Sequence, residues 1–114
     1  DKTDISWRPT TGMLRFMVLG GMRVADMTAA QRKHMGVDNK QLALRVLTPV
    51  RAVTRAFKAG FRPGDIIVAF GSHVSRMSEV QLLTSVLQAA PSKGPVSVTV
   101  LRRGRRILLK LPSE

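Results

Sequence analysis

The sequence predicts an α+β domain of five to six strands and two to three helices, and three observations predict it. Short apolar runs rich in Val, Ile, Leu and Phe are repeatedly cut by glycine or proline. Two stretches open on a capping Thr or Ser and close on glycine or proline, as short helices do. The chain ends on VSVTVLRRGRRILLKL, two strand-length runs around Arg103-Gly104.

The first dozen residues, DKTDISWRPTTG, are polar and contain Pro9, so residues 1–12 read as an extension or linker and residues 13–114 as the domain. MLRFMVLG, Met13 to Gly20, and MRVAD, Met22 to Asp26, predict two strands about a glycine turn. Thr28 caps a helix over AAQRKHM, which Gly36 stops. LALRVLTP, Leu42 to Pro49, predicts a strand ended by its proline, and Val50 to Lys58 a helix closed by Ala59-Gly60. In Arg62-Pro63-Gly64-Asp65, proline restricts one dihedral and glycine frees the next, which makes a turn. Ile66 to Phe70 then forms a strand apolar enough to be buried on both faces, and Gly71 ends it. Ser78 caps a helix from Glu79 to Ala89; Pro91, Lys93-Gly94 and Pro95 separate it from a hairpin of Val96 to Leu101 and Arg106 to Leu111.

With 114 residues the chain is one domain, large enough to build a core without a metal or disulfide. It has no cysteine, which is compatible with any compartment. Starting at Asp1 rather than Met, it reads as a cut from a longer protein, and no apolar run reaches the roughly 20 residues that a spanning helix needs. Nineteen Lys and Arg against seven Asp and Glu give a net charge of +12, which attracts phosphates, anionic lipid or acidic protein surfaces. The basic residues are scattered except for RRGRR, Arg102 to Arg106. Nucleic acid is disfavoured as a partner, because Tyr is absent and Trp7 and the four Phe are dispersed rather than interleaved with the basic residues.

The stretch AGFRPGDIIVAFG, Ala59 to Gly71, the VTVLRRGRRILLKL hairpin and the order of elements between them carry a resemblance. The span Gly21 to Leu111 resembles a PDZ domain of the bacterial and mitochondrial type that follows the protease domain in the HtrA (Deg) family, where the corresponding run reads AG-(L/I)-RPGD-(V/I)-I before an aliphatic strand. The resemblance implies a PDZ-like, partly open antiparallel β-barrel or sandwich with the circularly permuted bacterial strand order. It also implies a non-catalytic module that takes C-terminal or extended hydrophobic peptides as an added strand, with loop amides receiving the carboxylate. The matching loop is Leu19-Gly20-Gly21-Met22: the amides of Gly20, Gly21 and Met22 would meet the carboxylate, and Arg23 and Val24 would pair with the peptide, Arg23 adding a favourable charge. Gly21 falls on the family's loop glycine, whereas Gly20 replaces its usual apolar neighbour.

No cofactor is implied. The parent would be an HtrA-like protease or another envelope protein active in quality control, such as a thioredoxin-like domain with a PDZ appended, in the cell envelope or periplasm or secreted. SWRP, Ser6 to Pro9, lies outside the family pattern. So does LTPVRAVTRAFKAG, which replaces a short Gly-Ser-Pro-Ala connector with a longer basic one, Arg51, Arg55 and Lys58 sharing one exposed helical face.

On the helix from Glu79, Val80, Leu83 and Leu87 form one stripe, which Leu82 and Val86 widen to an arc of roughly 160°. Val80, Leu83, Thr84 and Leu87 are the expected groove edge, with Leu82 and Val86 nearer the core; burial of all five in the core accounts for the arc equally well. Neither His34 nor His73 accompanies a G-x-S-x-G elbow, so catalysis is not expected and both histidines are read as surface residues. The six methionines show no tight cluster of metal-ligand spacing and serve packing, with Met22 a candidate for the peptide pocket. A second reading, from another functional class, is a docking domain with a closed groove whose Arg102, Arg103, Arg105 and Arg106 bind an anionic partner.

Overall fold

The computed structural model describes residues 18–47, 54–88 and 95–112, except for the side chains of 87 and 88. Five strands, β1 (Val24–Asp26), β2 (Leu44–Val46), β3 (Ile66–Phe70), β4 (Val96–Arg102) and β5 (Arg105–Leu111), form one antiparallel sheet in the order β1-β2-β3-β4-β5. Among the described residues three helices, α1 (Ala29–Met35), α2 (Arg55–Ala59) and α3 (Glu79–Gln88), complete an α+β fold. The sheet is open among the described residues, with β1 and β5 as its edges.

Each helix is delimited by its own termini. Thr28 and Gln31 exchange backbone and side-chain hydrogen bonds in a capping box, and Gly36 at φ 71° returns its N–H to the Arg32 and Lys33 carbonyls. Thr54 caps α2 by accepting the Phe57 N–H, and Gly60 closes it while buried Phe61 donates its N–H to the Ala56 carbonyl. Ser78 and Gln81 form a second reciprocal box that opens α3.

Strand β3 is buried on both faces, as its aliphatic run predicts. Ile67 and Phe70 enter the main core with Leu42, Leu44, Leu82, Leu83, Val98 and Val100, while Ile66 and Val68 join a smaller cluster with Met27, Val37 and Ala43. Residues 67 and 70 cannot share a face under strict alternation. A register shift between Ile67 and Ala69 supplies the extra residue that turns Phe70 to the Ile67 side.

The turn before β3 extends the ladder: Gly64 donates to the Val46 carbonyl and Val46 to the Asp65 carbonyl, both at 2.8 Å. Buried Asp65 accepts the Arg62 N–H at 2.9 Å and two guanidinium nitrogens of Arg102 at 2.8 and 2.6 Å, and the Arg62 guanidinium stacks 3.8 Å from the Phe57 ring centroid. Arg-Pro-Gly-Asp thereby fastens α2, β3 and β4 together.

Two expectations change. In the strand expected over Met13 to Gly20, the described residues Val18 and Leu19 are helical and lead into a turn at Gly20-Gly21; residues 13–17 lie outside the described residues. The reason is backbone conformation, since Gly20 and Gly21 hold φ of 63° and 94° in succession and reverse the chain as the last turn of a helix does. The helix expected from Val50 is described from Arg55, with Val50 to Val53 outside the described residues.

Candidate functional site

The edge at β1 is where the predicted loop, strand and helix come together. Leu47 donates its N–H to the Arg23 carbonyl and Met27 donates to the Ala43 carbonyl, so residues 23, 25 and 27 turn their backbone toward β2. By alternation, Val24 and Asp26 present theirs to the open edge of the sheet. Helix α3 packs beside that edge.

The loop ahead of β1 is tightly held. A Cβ on Gly20 would come within 2.9 Å of the Ala56 backbone nitrogen and 3.0 Å of Leu111 Cδ1, and one on Gly21 within 2.9 Å of Thr54 Cγ2. The Gly20 carbonyl accepts the Ala56 N–H at 3.2 Å. Position 20 therefore has room only for glycine: α2 and β5 occupy the space a side chain would need. Leu19 and Met22 are fully buried in the core, and the Met22 N–H donates to the Leu19 carbonyl at 3.3 Å.

The Val24 N–H also has a partner. It donates to Glu79 Oε2 at 3.0 Å across 55 residues of sequence, and Glu79, the first residue of α3, is only 9% exposed. At the other end of β1, the Asp26 carboxylate lies between Arg32 at 2.6 Å and Arg76 at 3.1 Å. Arg32 is fully buried and also donates to the Met27, Asp38 and Gln41 carbonyls, so it ties the loop after α1 to the end of β1.

On α3, Val80 is 58% exposed and Thr84 is exposed, whereas Leu83 joins Leu82 in the core at 1% exposure and Val86 packs against it half-buried. The Leu87 side chain lies outside the described residues. Arg23 is exposed beside β1. The structure thus places Gly20, Gly21, Met22, Arg23 and Val24 on the turn and edge strand beside which α3, carrying exposed Val80 and Thr84, packs. Leu19, Met22 and Leu83 turn their side chains to the core, so Leu83 is a core residue rather than the groove edge the sequence predicts.

Arg102 departs from the basic tip to which the sequence assigned it. It is committed to Asp65 and the Gly60 carbonyl, which leaves Arg103, Arg105 and Arg106 as the exposed arginines of that hairpin. Its hydrogen bond to Asp65 and, secondarily, their attraction raise its pKa against the opposing effect of burial.

A mainly apolar pocket of about 490 Å³ lies between α1 and the sheet, where Met27, His34, Met35, Arg45 and Ile66 line it. Among the described residues no three His, Asp or Glu side chains are placed to hold a metal ion, and no helix is long and apolar enough to cross a membrane.

Sequence reasoning missed Glu79, Arg32 and the Asp65–Arg102 pair. Their partners are set by folding over long separations, and no local spacing announces them.

No protein-family pattern matches the chain, and neither does any curated protein sequence. Among solved structures the chain is similar to an HtrA-type protease, AlgW with tripeptide, at 21% identity and a TM-score of 0.56. The match covers 89% of this chain but only 35% of that one, so this chain spans about a third of the protease's length. At this identity the likeness shows the fold, which is PDZ-like.

Proposed function

We propose that this chain is a non-catalytic peptide-binding module that captures C-terminal or extended hydrophobic peptides as a strand added to β1. The observation that carries the reading is the position of β1: an edge strand, preceded by a double-glycine turn and flanked by α3. In this reading the amides of Gly20, Gly21 and Met22 meet the carboxylate, and the outward backbone of Val24 pairs with the peptide while exposed Arg23, its own backbone paired with β2, adds a favourable charge. Val80, Thr84 and Leu87 contact the peptide side chains, Leu83 being held in the core. The similar HtrA-type protease was solved with a tripeptide, which supports the reading. The module would serve substrate recognition or regulation in a larger HtrA-like protease or envelope protein, in the envelope or periplasm or secreted.

A second reading is favoured by two observations. The N–H groups of Met22 and Val24 are engaged within the domain, and Arg103, Arg105 and Arg106 stand exposed together at the β4–β5 tip. In it the groove stays closed, and Arg103, Arg105 and Arg106 dock an anionic partner.

An NMR titration with apolar peptides, each with a free and an amidated C-terminus, separates the two. The first reading expects shifts at Gly20, Gly21 and Met22 that vanish on amidation and weaken only modestly from low to physiological salt. Silence there, with shifts at residues 103–106 on adding a polyanion that collapse with salt, would reverse the choice.

A further inference from the structure

We infer that Glu79 is the latch of the β1 edge and sets the affinity with which any strand adds to it. The inference rests on the strand-addition reading and names the residue that controls it.

An antiparallel strand joining β1 must place a carbonyl on each outward N–H, and the outward N–H of β1 whose partner the structure shows is that of Val24. Glu79 Oε2 occupies that place at 3.0 Å. A peptide carbonyl and this carboxylate oxygen cannot both lie on the same N–H line, so strand addition requires Glu79 to leave.

What moves is the side chain. Helix α3 is anchored by Leu82 and Leu83 in the main core and by the Ser78–Gln81 box at its first turn. With the helix held in place, release of the Val24 N–H is a displacement of the Glu79 side chain, which stands 9% exposed at the first turn of α3. Two physical consequences follow from the one contact. In the free protein a charged group covers an edge that would otherwise invite pairing with any extended chain. In the presence of peptide, apparent affinity is reduced by the fraction of molecules with the latch closed. A peptide anchored by its terminal carboxylate at the glycine turn supplies the interaction that offsets release, and one without that anchor does not.

The test compares wild type, Glu79→Ala and Glu79→Gln by NMR, using the free-carboxylate apolar peptides that shift the loop most. A hydrogen bond to an ionised acceptor is stronger than a neutral one, so Glu79→Ala should tighten peptide binding by about tenfold and Glu79→Gln by a smaller factor. In free Glu79→Ala the Val24 amide should exchange faster than in wild type. The Leu42 amide, which bonds to the Val74 carbonyl, should keep its protection and so report an intact fold. Equal or weaker binding by Glu79→Ala, with residues 20–26 still shifting, overturns the latch and leaves strand addition standing. Absence of shifts at residues 20–26 in all three proteins overturns both. Should Glu79→Ala not fold, Glu79→Gln carries the comparison, and an affinity equal to wild type overturns the latch.

Discussion

Asp65 shows how one side chain can hold several segments. Its side chain is 3% exposed, and the carboxylate receives two nitrogens of Arg102 and the backbone N–H of Arg62. Removing one partner leaves a charge with too few donors in a poorly solvated place, so Arg102→Leu should lower stability by about 2 to 3 kcal/mol. Arg103→Ala, next along the same hairpin but exposed, should change it by no more than about 0.5 kcal/mol, and urea unfolding of both variants checks the contrast. The pH response follows from the raised pKa of Arg102. A folded value above the unfolded one gives stability that is complete below the ordinary arginine range and is lost only as pH climbs through the raised value. Arg102 therefore stays charged and paired through neutral and mildly alkaline pH. Arg32, too, joins several segments, with four acceptors around a fully buried guanidinium.

Among the elements, boundaries are set by caps and by backbone sign. The Thr28 and Ser78 caps, Gly36 and Gly60 were all legible in the sequence, because capping chemistry acts over a few residues. The run ending at Val18-Leu19 was not, because an apolar pair before two glycines fits both a strand before a turn and the last turn of a helix. The β4–β5 hairpin turns on two residues, Arg103 at φ 53° and Gly104 at φ 78°, the conformation that favours Asn-Gly. A left-handed arginine costs more than an asparagine there, so Arg103→Asn should raise stability by about 0.5 to 1 kcal/mol, measured as a shift in the urea midpoint with unchanged slope. If the cluster docks an anion, the same variant weakens that docking while stabilising the fold.

For the whole molecule, the balance lies between a core on both faces of β3 and a net charge of +12. The core clusters draw on every strand and on α2 and α3, so they favour cooperative unfolding, whereas the unbalanced charge repels itself in the compact state. Salt screens that repulsion. Raising sodium chloride from low to physiological concentration should therefore raise the melting temperature, by roughly 4 °C if about 1 kcal/mol of repulsion is removed. A melting temperature that falls with salt, as tracked by circular dichroism, would mean that local pairs such as Asp26 with Arg32 and Arg76 outweigh the net charge.

Local chemistry made the α+β class, the capped helices, the buried β3 and the two-residue hairpin turn readable from the residues alone. Repeating apolar patterns and turn residues act within about ten positions and leave a trace in the order of the side chains. Folding in three dimensions was needed to establish that Gly20 makes room for α2 and Leu111, that Arg102 belongs to Asp65 rather than to the basic tip, and that Glu79 covers the β1 edge at Val24. Each of these contacts joins residues far apart in the chain. Their partners are chosen by packing of the finished sheet and helices, which no local spacing encodes.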